Sequence, residues 1–328
     1  MMMNNAKYTS GPVRVRGTGA LLMVSLSLVL LSGCVKRDLE YRPGTPGGEN
    51  TGMIDIALDW NGDKRPQEAR YLIYREEDGT LYRSFEGITD GYKGELPEGK
   101  YHLIVHNTDA QQVGYCGMEN YRTAYVFALP ETTVKAAQGS SYIKEPDAVY
   151  GIGRCEIGEV FEVRKGETLV STVHPKCLTH RVELLFELKN MEMRAMKGYL
   201  EGVTPSVVLS SGEYHPANCA VAFSTTVETQ GVQFAGAVNI FDIRAAHEDA
   251  PGSNTLDLTM TDLQGTDRPV QIDITRTVND IVKDNGGKIP SEISVKIELV
   301  LIDNGNLQAT VTPWDDGGTG GGHPFPER

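Results

Sequence analysis

The sequence predicts an all-β fold arranged as two tandem β-sandwich domains, and three observations carry that expectation. Large apolar residues recur at period two in short segments, as Ile54, Ile56, Leu58 and Trp60 do within Met53–Trp60. The 36 Gly and 16 Pro fall between such segments, where they punctuate turns. The 295 residues that follow position 33 suffice for two domains of ordinary size. A hydrophobic content of 40% excludes wholesale disorder.

The elements follow in order. Ala20–Leu31 is an apolar run of twelve residues, short of the roughly 20 that a membrane-spanning helix needs. It reads as the core of an export signal, with Lys7, Arg14 and Arg16 supplying the positive leader. Leu31-Ser32-Gly33-Cys34 has the form of a lipobox: an aliphatic residue, two small residues that fit a peptidase cleft, then the thiol that takes a lipid. An ordinary secretory signal with a chance cysteine ranks behind, because the small pair directly precedes Cys34 at the end of the run. Residues 1–33 are thus expected to be a lipoprotein signal peptide and 34–51 a lipidated tether. Lys36–Glu40 is charged, and Pro43–Gly48 can hold neither a helix nor a central strand.

An N-terminal sandwich is expected over 52–175. Ala69–Tyr74 and Leu81–Phe85 flank Glu77-Asp78-Gly79-Thr80, a hairpin signal. Leu96–Tyr101 reads as a turn feeding the strand Tyr101–His106. Strands follow at Tyr121–Leu129, Val149–Ile157, Val160–Val163 and Thr168–Val173, with Thr132–Glu145 as loop or short helix. About seven or eight short strands over some 120 residues match sandwich arithmetic.

A C-terminal sandwich is expected over 176–314. Val182, Leu184, Phe186 and Leu188 mark its first strand. Met191–Val203 begins with helix formers and ends as a strand. Further strands are expected at Val207–Leu209, Val221–Thr226, Ala237–Ile243, Leu256–Met260, Val270–Ile274, Ile293–Leu301 and Leu307–Val311, with one helical turn at Val278–Lys283. The glycine-rich 315–328 reads as a disordered tail.

Losing Lys7, Arg14 and Arg16 with the signal takes the formal charge from −13 to −16. That acidity argues against nucleic acid and against electrostatic adhesion to an anionic bilayer. Beyond Cys34 stand Cys116, Cys155, Cys177 and Cys219, which an exported chain can oxidise. Bridges Cys116–Cys155 and Cys177–Cys219 would each stay within one domain; buried free thiols are the equal alternative.

Signs of chemistry are weak. Gly94–Tyr101 has P-loop spacing, but Tyr101 replaces the hydroxyl residue and the segment feeds a strand, not a helix. Asp59, Asn61 and Asp63 imitate a calcium loop, yet Lys64 stands where glycine belongs and Arg70 where glutamate does. His102 and His106 share a strand face without a third ligand. Phe186, Tyr199, Trp60 and Trp314 read as core plugs. No enzyme, no cofactor and no metal are expected.

Several segments, in order, resemble a known family. Cys34–Leu39, Leu96–Leu103, Asp147–Gly151, His180–Leu188, Gly198–Val203 and Val311–Trp314 are similar to parts of the fimbrillin-related lipoproteins of the Bacteroidales, of the fimbrial anchor-subunit type. The resemblance implies two transthyretin-like β-sandwiches lipid-anchored in the outer membrane and surface-exposed, with a role at the base of a fimbria or in its assembly. It also implies partner subunits that join by strand addition. Two other readings stand beside it. One is a surface lipoprotein that binds a glycan or other ligand through exposed aromatics. The other is a shaft or tip subunit released by cleavage, for which Arg70 or Arg75 would be the site.

Overall fold

The alternation becomes a nearly all-β body in a computed structural model that describes residues 50–60, 65–132, 141–151, 160–215, 218–229, 231–243, 252–302 and 306–314. The first half holds β1 (Thr51–Leu58), β2 (Ala69–Arg75), β3 (Leu81–Gly87), β4 (Gly91–Pro97), β5 (Gly99–Asn107), β6 (Val113–Cys116), β7 (Tyr125–Ala128), β8 (Ser141–Ile143), β9 (Tyr150–Gly151), β10 (Phe161–Val163), β11 (Thr168–Val173) and β12 (Lys176–Cys177). The second half holds β13 (His180–Lys189), β14 (Met193–Thr204), β15 (Ser206–Val208), β16 (Cys219–Thr229), β17 (Gln233–Ile240), β18 (Asp242–Ile243), β19 (Thr255–Asp262), β20 (Asp267–Asp273), α1 (Thr275–Asp284), β21 (Glu292–Leu301) and β22 (Leu307–Pro313).

Seven strands of each half share one connectivity. In the first half β1 lies between β4, antiparallel, and β11, parallel. The facing sheet runs β10-β5-β2-β3, all antiparallel. In the second half β13 lies between β17, antiparallel, and β21, parallel, and the facing sheet runs β20-β19-β14-β16, all antiparallel. The sequence shows no repeat at a fixed period, so this duplication is visible only in the pairing.

The halves are stapled by a long excursion between β5 and β10. From it, β7 pairs with β15 and β8 runs parallel to β16. The apolar cores follow this plan. Ile54, Ile56, Tyr71, Ile73, Leu103 and Val105 fill the space between the two sheets of the first half. Leu72, Tyr74 and Ile104 face the other way, into a larger core shared with Leu184, Phe186, Leu200 and Val295. β2 is therefore buried on both faces, which is why Tyr71-Leu72-Ile73-Tyr74 is continuously apolar and does not alternate.

The hairpin over residues 77–80 forms as its residues dictate. Gly79 takes φ 72°, and Asp78 Oδ1 accepts from Thr80 N at 2.8 Å and Thr80 Oγ1 at 2.7 Å. Other expectations are corrected. The helix formers after Met191 make no helix: β14 is a strand from Met193 to Thr204. A bulge between Met193 and Ala195 turns Met193 and Met196 to the same core, so their spacing of three imitates a helical face. Tyr121–Leu129 is a strand only over Tyr125–Ala128, because residues 120–124 turn through Ala124 N to Asn120 O. Part of Thr132–Glu145, expected as loop or short helix, is the strand β8, while residues 133–140 lie outside the described residues. The helical turn extends to ten residues as α1. The turn expected at Leu96–Tyr101 shrinks to Glu98 between two strands, of which β4 was not anticipated.

Candidate functional site

One feature of this body open to a partner is a sheet edge in the first half. Met53 N donates to Glu167 O at 2.8 Å, and Asp59 N to Val173 O at 2.9 Å. In a parallel ladder such bonds alternate, so the backbone groups of Leu169, Ser171 and Val173 face β1 while those of Thr168, Val170 and Thr172 point outward. Among the described residues no strand pairs with that outer side. Val170, whose backbone groups point that way, is 72% exposed. Unpaired edges of this kind invite another strand unless they are blunted.

The opposite edge of the same sheet is blunted. Glu98 N bonds Asn50 O and Leu58 N bonds Asp90 O, so even-numbered residues of β4 face β1 and odd-numbered ones face out. Of the outward groups, Pro97 has no N–H, and Glu95 O accepts from Arg83 Nη1 at 3.0 Å. Arg83 also donates to Tyr92 Oη at 3.1 Å. Beside it, Phe85 packs on Tyr92 and on Tyr71, with ring centroids 4.0 and 4.9 Å apart. The guanidinium of Arg75 lies 5.2 Å from the Tyr82 ring centre and that of Arg83 5.7 Å. These rings form a wedge between β3 and β4 whose faces are occupied by one another and by arginine.

A cleft of about 370 Å³ runs along the turn from β10 to β11, lined by Val160, Phe161, Glu162, Arg164, Glu167, Thr168 and Leu169. Phe161 and Leu169 form its apolar floor against the first-half core. Glu162 and Arg164 pair with one another at 2.9 Å on its rim. β1 enters beneath this turn at Gly52, where a Cβ would collide with Arg164 O and stand 2.9 Å from Val163 Cγ1. Nothing in the sequence marked this edge, since Thr168–Val173 alternates as an interior strand would.

The residues singled out from the sequence fall elsewhere. Cys34 and Cys155 lie outside the described residues. Cys116, Cys177 and Cys219 are free thiols in this structure. Cys177 Sγ sits 3.3 Å from both Thr179 O and Thr179 Oγ1, and Cys219 is buried in the larger core, which raises its thiol pKa. His102 stacks on Tyr121 at 4.0 Å and His106 on Tyr115 at 4.2 Å. Burial pushes His106 down to about 4. Phe186 and Trp60 are core residues; Tyr199 is half-buried against Tyr142, and Trp314 packs on a satellite of Leu185 and Ala235.

A pairing that sequence reading missed is Ser206 Oγ with His215 Nδ1, 2.9 Å apart. Ser206 is buried at the edge of the larger core, and Tyr125 packs edge-on against the imidazole. Among the described residues no carboxylate bonds to His215, so the orienting third member of a hydrolytic triad is not in place there. No group of ligating side chains among the described residues could hold a metal. No described helix is long and apolar enough to cross a membrane.

With this geometry in view, the likeness to known proteins has a structural footing. The profile of a family described as "Domain of unknown function (DUF5119)" matches residues 33–224. A curated relative from Bacteroides ovatus, described as "Putative fimbrium anchoring subunit Fim4B", is 24% identical over 198 residues. That match takes in 59% of this chain and only 56% of the relative, so the alignment spans little more than half the relative's length. Among solved structures, one described as "a putative adhesin" from Bacteroides ovatus superimposes with a TM-score of 0.56 at 18% identity, covering 83% of this chain and 95% of that one. The fimbrial anchor protein Mfa2 from Porphyromonas gingivalis gives 0.54 at 10% identity, covering 81% and 98%. At such identities the structures share the fold.

Proposed function

The chain belongs to the DUF5119 family, and on that premise we propose that it is a non-catalytic anchor or accessory assembly subunit of a fimbria. In this reading the lipid on Cys34 holds it in the outer membrane and its β-sandwiches stand exposed at the cell surface. The single observation that carries the reading is the similarity over 198 residues to a relative described as a fimbrium anchoring subunit. The matched family stretch begins at residue 33, directly before the thiol that would be acylated. One acyl chain anchors only marginally, whereas a multiply acylated cysteine needs no help from the fold.

Partner subunits would join by adding a strand to an unpaired sheet edge, where backbone hydrogen bonds supply affinity and alternate side chains supply specificity. Disulfides among Cys116, Cys155, Cys177 and Cys219 play no part in this reading. A glycan-binding role finds less support, because Phe85 and Tyr92 pack on one another and Tyr82 lies under two guanidinium groups. Release as a shaft or tip subunit by cleavage at Arg70 also fits poorly. Arg70 is paired on both sides, to Glu86 of β3 and His106 of β5, and a protease needs an accessible extended chain.

The test is replacement of the acylated thiol. In cells producing Cys34→Ala, the protein should leave the outer-membrane fraction and fimbriae should be shed into the medium. Fimbriae of normal length and attachment in cells lacking the protein altogether would end the anchor reading.

A further inference from the structure

The geometry points to β1 as a shear clamp, a strand built to hold against a pull on the lipid-bearing terminus. The inference rests on the anchor reading, which supplies that pull, and it names how the body withstands it. The pull enters at Thr51, the first residue of β1, beside the β10–β11 turn, where Gly166 N donates to Thr51 O at 2.9 Å. Six residues of β1 pair with β11 and seven with β4. Because β11 is parallel to β1, it leads into the second half from the far end, through Val173 and His174. β4 is antiparallel and receives the chain at that same far end, after Ile88 and Asp90. A load entering at Thr51 and taken up at the far end therefore strains all these backbone bonds together. Applied between two points at the near end, it would break them one by one.

A strand under such a load fails by slipping along its neighbours, and its sequence opposes the slip. A shift of one residue would turn Ile54, Ile56 and Leu58 from the core to solvent. A shift of two would carry Ile54 to the place of Gly52. There even a Cβ would collide with Arg164 O and stand 2.9 Å from Val163 Cγ1, so an isoleucine does not fit. The far end carries a stopper. Trp60 is buried, donates from Nε1 to Thr89 O at 2.8 Å and packs edge-on against Tyr150 at 5.7 Å. The same shift would press its indole into the place of Leu58, which a close-packed core resists. On the outer face Lys93 Nζ pairs with Asp55 at 2.6 Å, and His174 Nδ1 lies 3.3 Å from Asp59, so charges at both neighbours mark the same register.

The second half repeats the plan in series. Beyond β11 the backbone reaches β13 across residues 174–179, and β13 is parallel to β21 over nine residues. A pull passed along the backbone thus meets a second parallel pair, entered again at the first residue of its leading strand.

The experiment is forced unfolding of single molecules of the full mature chain, produced without acylation so that the N-terminal Cys34 takes one DNA handle. The second handle sits on an azide-bearing residue in place of Ile88 or of Lys165. Both are exposed, Ile88 at the far end of β1 and Lys165 at the near end. At equal loading rate, the force that detaches β1 is expected to be severalfold higher with the handle at 88 than at 165. Trp60→Ala should lower the first force and leave the second, because peeling starts at Thr51 and the stopper lies at the other end. A residue that only stabilised the fold would lower both. Should Trp60→Ala fail to fold, Trp60→Phe, which loses the bond to Thr89 O and keeps a ring, takes its place. Equal forces in the two geometries, or a Trp60 variant that lowers both alike, would overturn the clamp. Neither result touches the anchor reading, which the shedding of fimbriae from Cys34→Ala cells tests separately.

Discussion

The two halves of this protein are built on the same seven strands and end differently. In the second, β16 pairs with β14 and then with β17, so the two sheets run into one another, and β22 closes the far side. In the first, β3 and β4 do not pair, an aromatic wedge stands between them, and among the described residues β11 has no outer neighbour. Common connectivity therefore does not set how completely a sandwich seals. Closure depends on what the chain does after its last shared strand: a return strand in one case, two residues and an exit in the other. The sealed half suits a stable platform, and the unsealed one has surface left for association.

The sharpest way to break that contrast is to cut a core residue in each half. Phe186 is wholly buried, with Phe223 stacked at 6.3 Å. Phe186→Ala should cost about 3–5 kcal/mol, as deletion of a buried phenyl ring does. Phe161 lies against the cleft, where water and relaxing neighbours can reach the space its ring leaves. Phe161→Ala should cost clearly less in the same urea titration. Equal losses would mean that the first half is as tightly sealed as the second.

Acid should separate the halves next. His106 is buried in the first half, where Nδ1 lies 2.8 Å from Asn107 O, Tyr115 stacks on the ring, and Nε2 has no partner. Burial chiefly lowers its pKa from 6.5 to about 4, and Arg70 adds to that; Asn107 O and Glu86 oppose it. A lowered pKa means that the unfolded chain binds the proton more readily than the folded one. The neutral ring's stability is thus intact above pH 6.5 and lost as pH falls toward 4, by about 3 kcal/mol if the whole shift is realised. His106→Gln should flatten stability over that window. His180 of the second half is also lowered by burial, but the carbonyl of Pro290 at 2.7 Å opposes the shift. His180→Gln should flatten it less.

Backbone approach gives a third, smaller break. Gly52 lets β1 pass beneath the β10–β11 turn, so Gly52→Val must push the turn or the strand aside. Overpacking of this kind costs roughly 1–3 kcal/mol. The loss should appear as faster amide exchange in β1 and β11 of the first half, with β13 and β21 unchanged.

These contrasts also show what the sequence could and could not disclose. Alternation identified the interior strands, as in Val182–Leu188, because one buried face imposes period two. The hairpin at Asp78–Gly79 was legible because a carboxylate and a left-handed glycine act locally. β14 misled at its start because a bulge converts strand spacing into helical spacing at Met193 and Met196. β4 was hidden because Lys93, Gly94 and Glu95 sit on an edge strand with little to bury. The candidate site was invisible for a deeper reason. Whether a strand is central or marginal depends on partners far along the chain, and Thr168–Val173 has the same character in either place.

The mildest change bears most directly on that last point. Val170 is 72% exposed, and its side chain lies on the face of β11 turned from the core. Val170→Lys should therefore move stability by no more than about 0.5 kcal/mol, the usual range for a surface site. Lysine is also the residue that natural edge strands use against unwanted pairing. If the two halves differ because one edge is left free for a partner, this substitution should leave the thermal midpoint of the purified protein in place and reduce recovery of fimbriae with the cell envelope. A matched lysine in the second half, Thr310→Lys in β22, should leave that recovery unchanged, because the backbone groups of Thr310 face β21 and α1 flanks the outer side of that strand. Equal recovery in both variants would place the functional contact away from β11, and the unsealed edge would then be only what remained where the chain ran out of length to cover it.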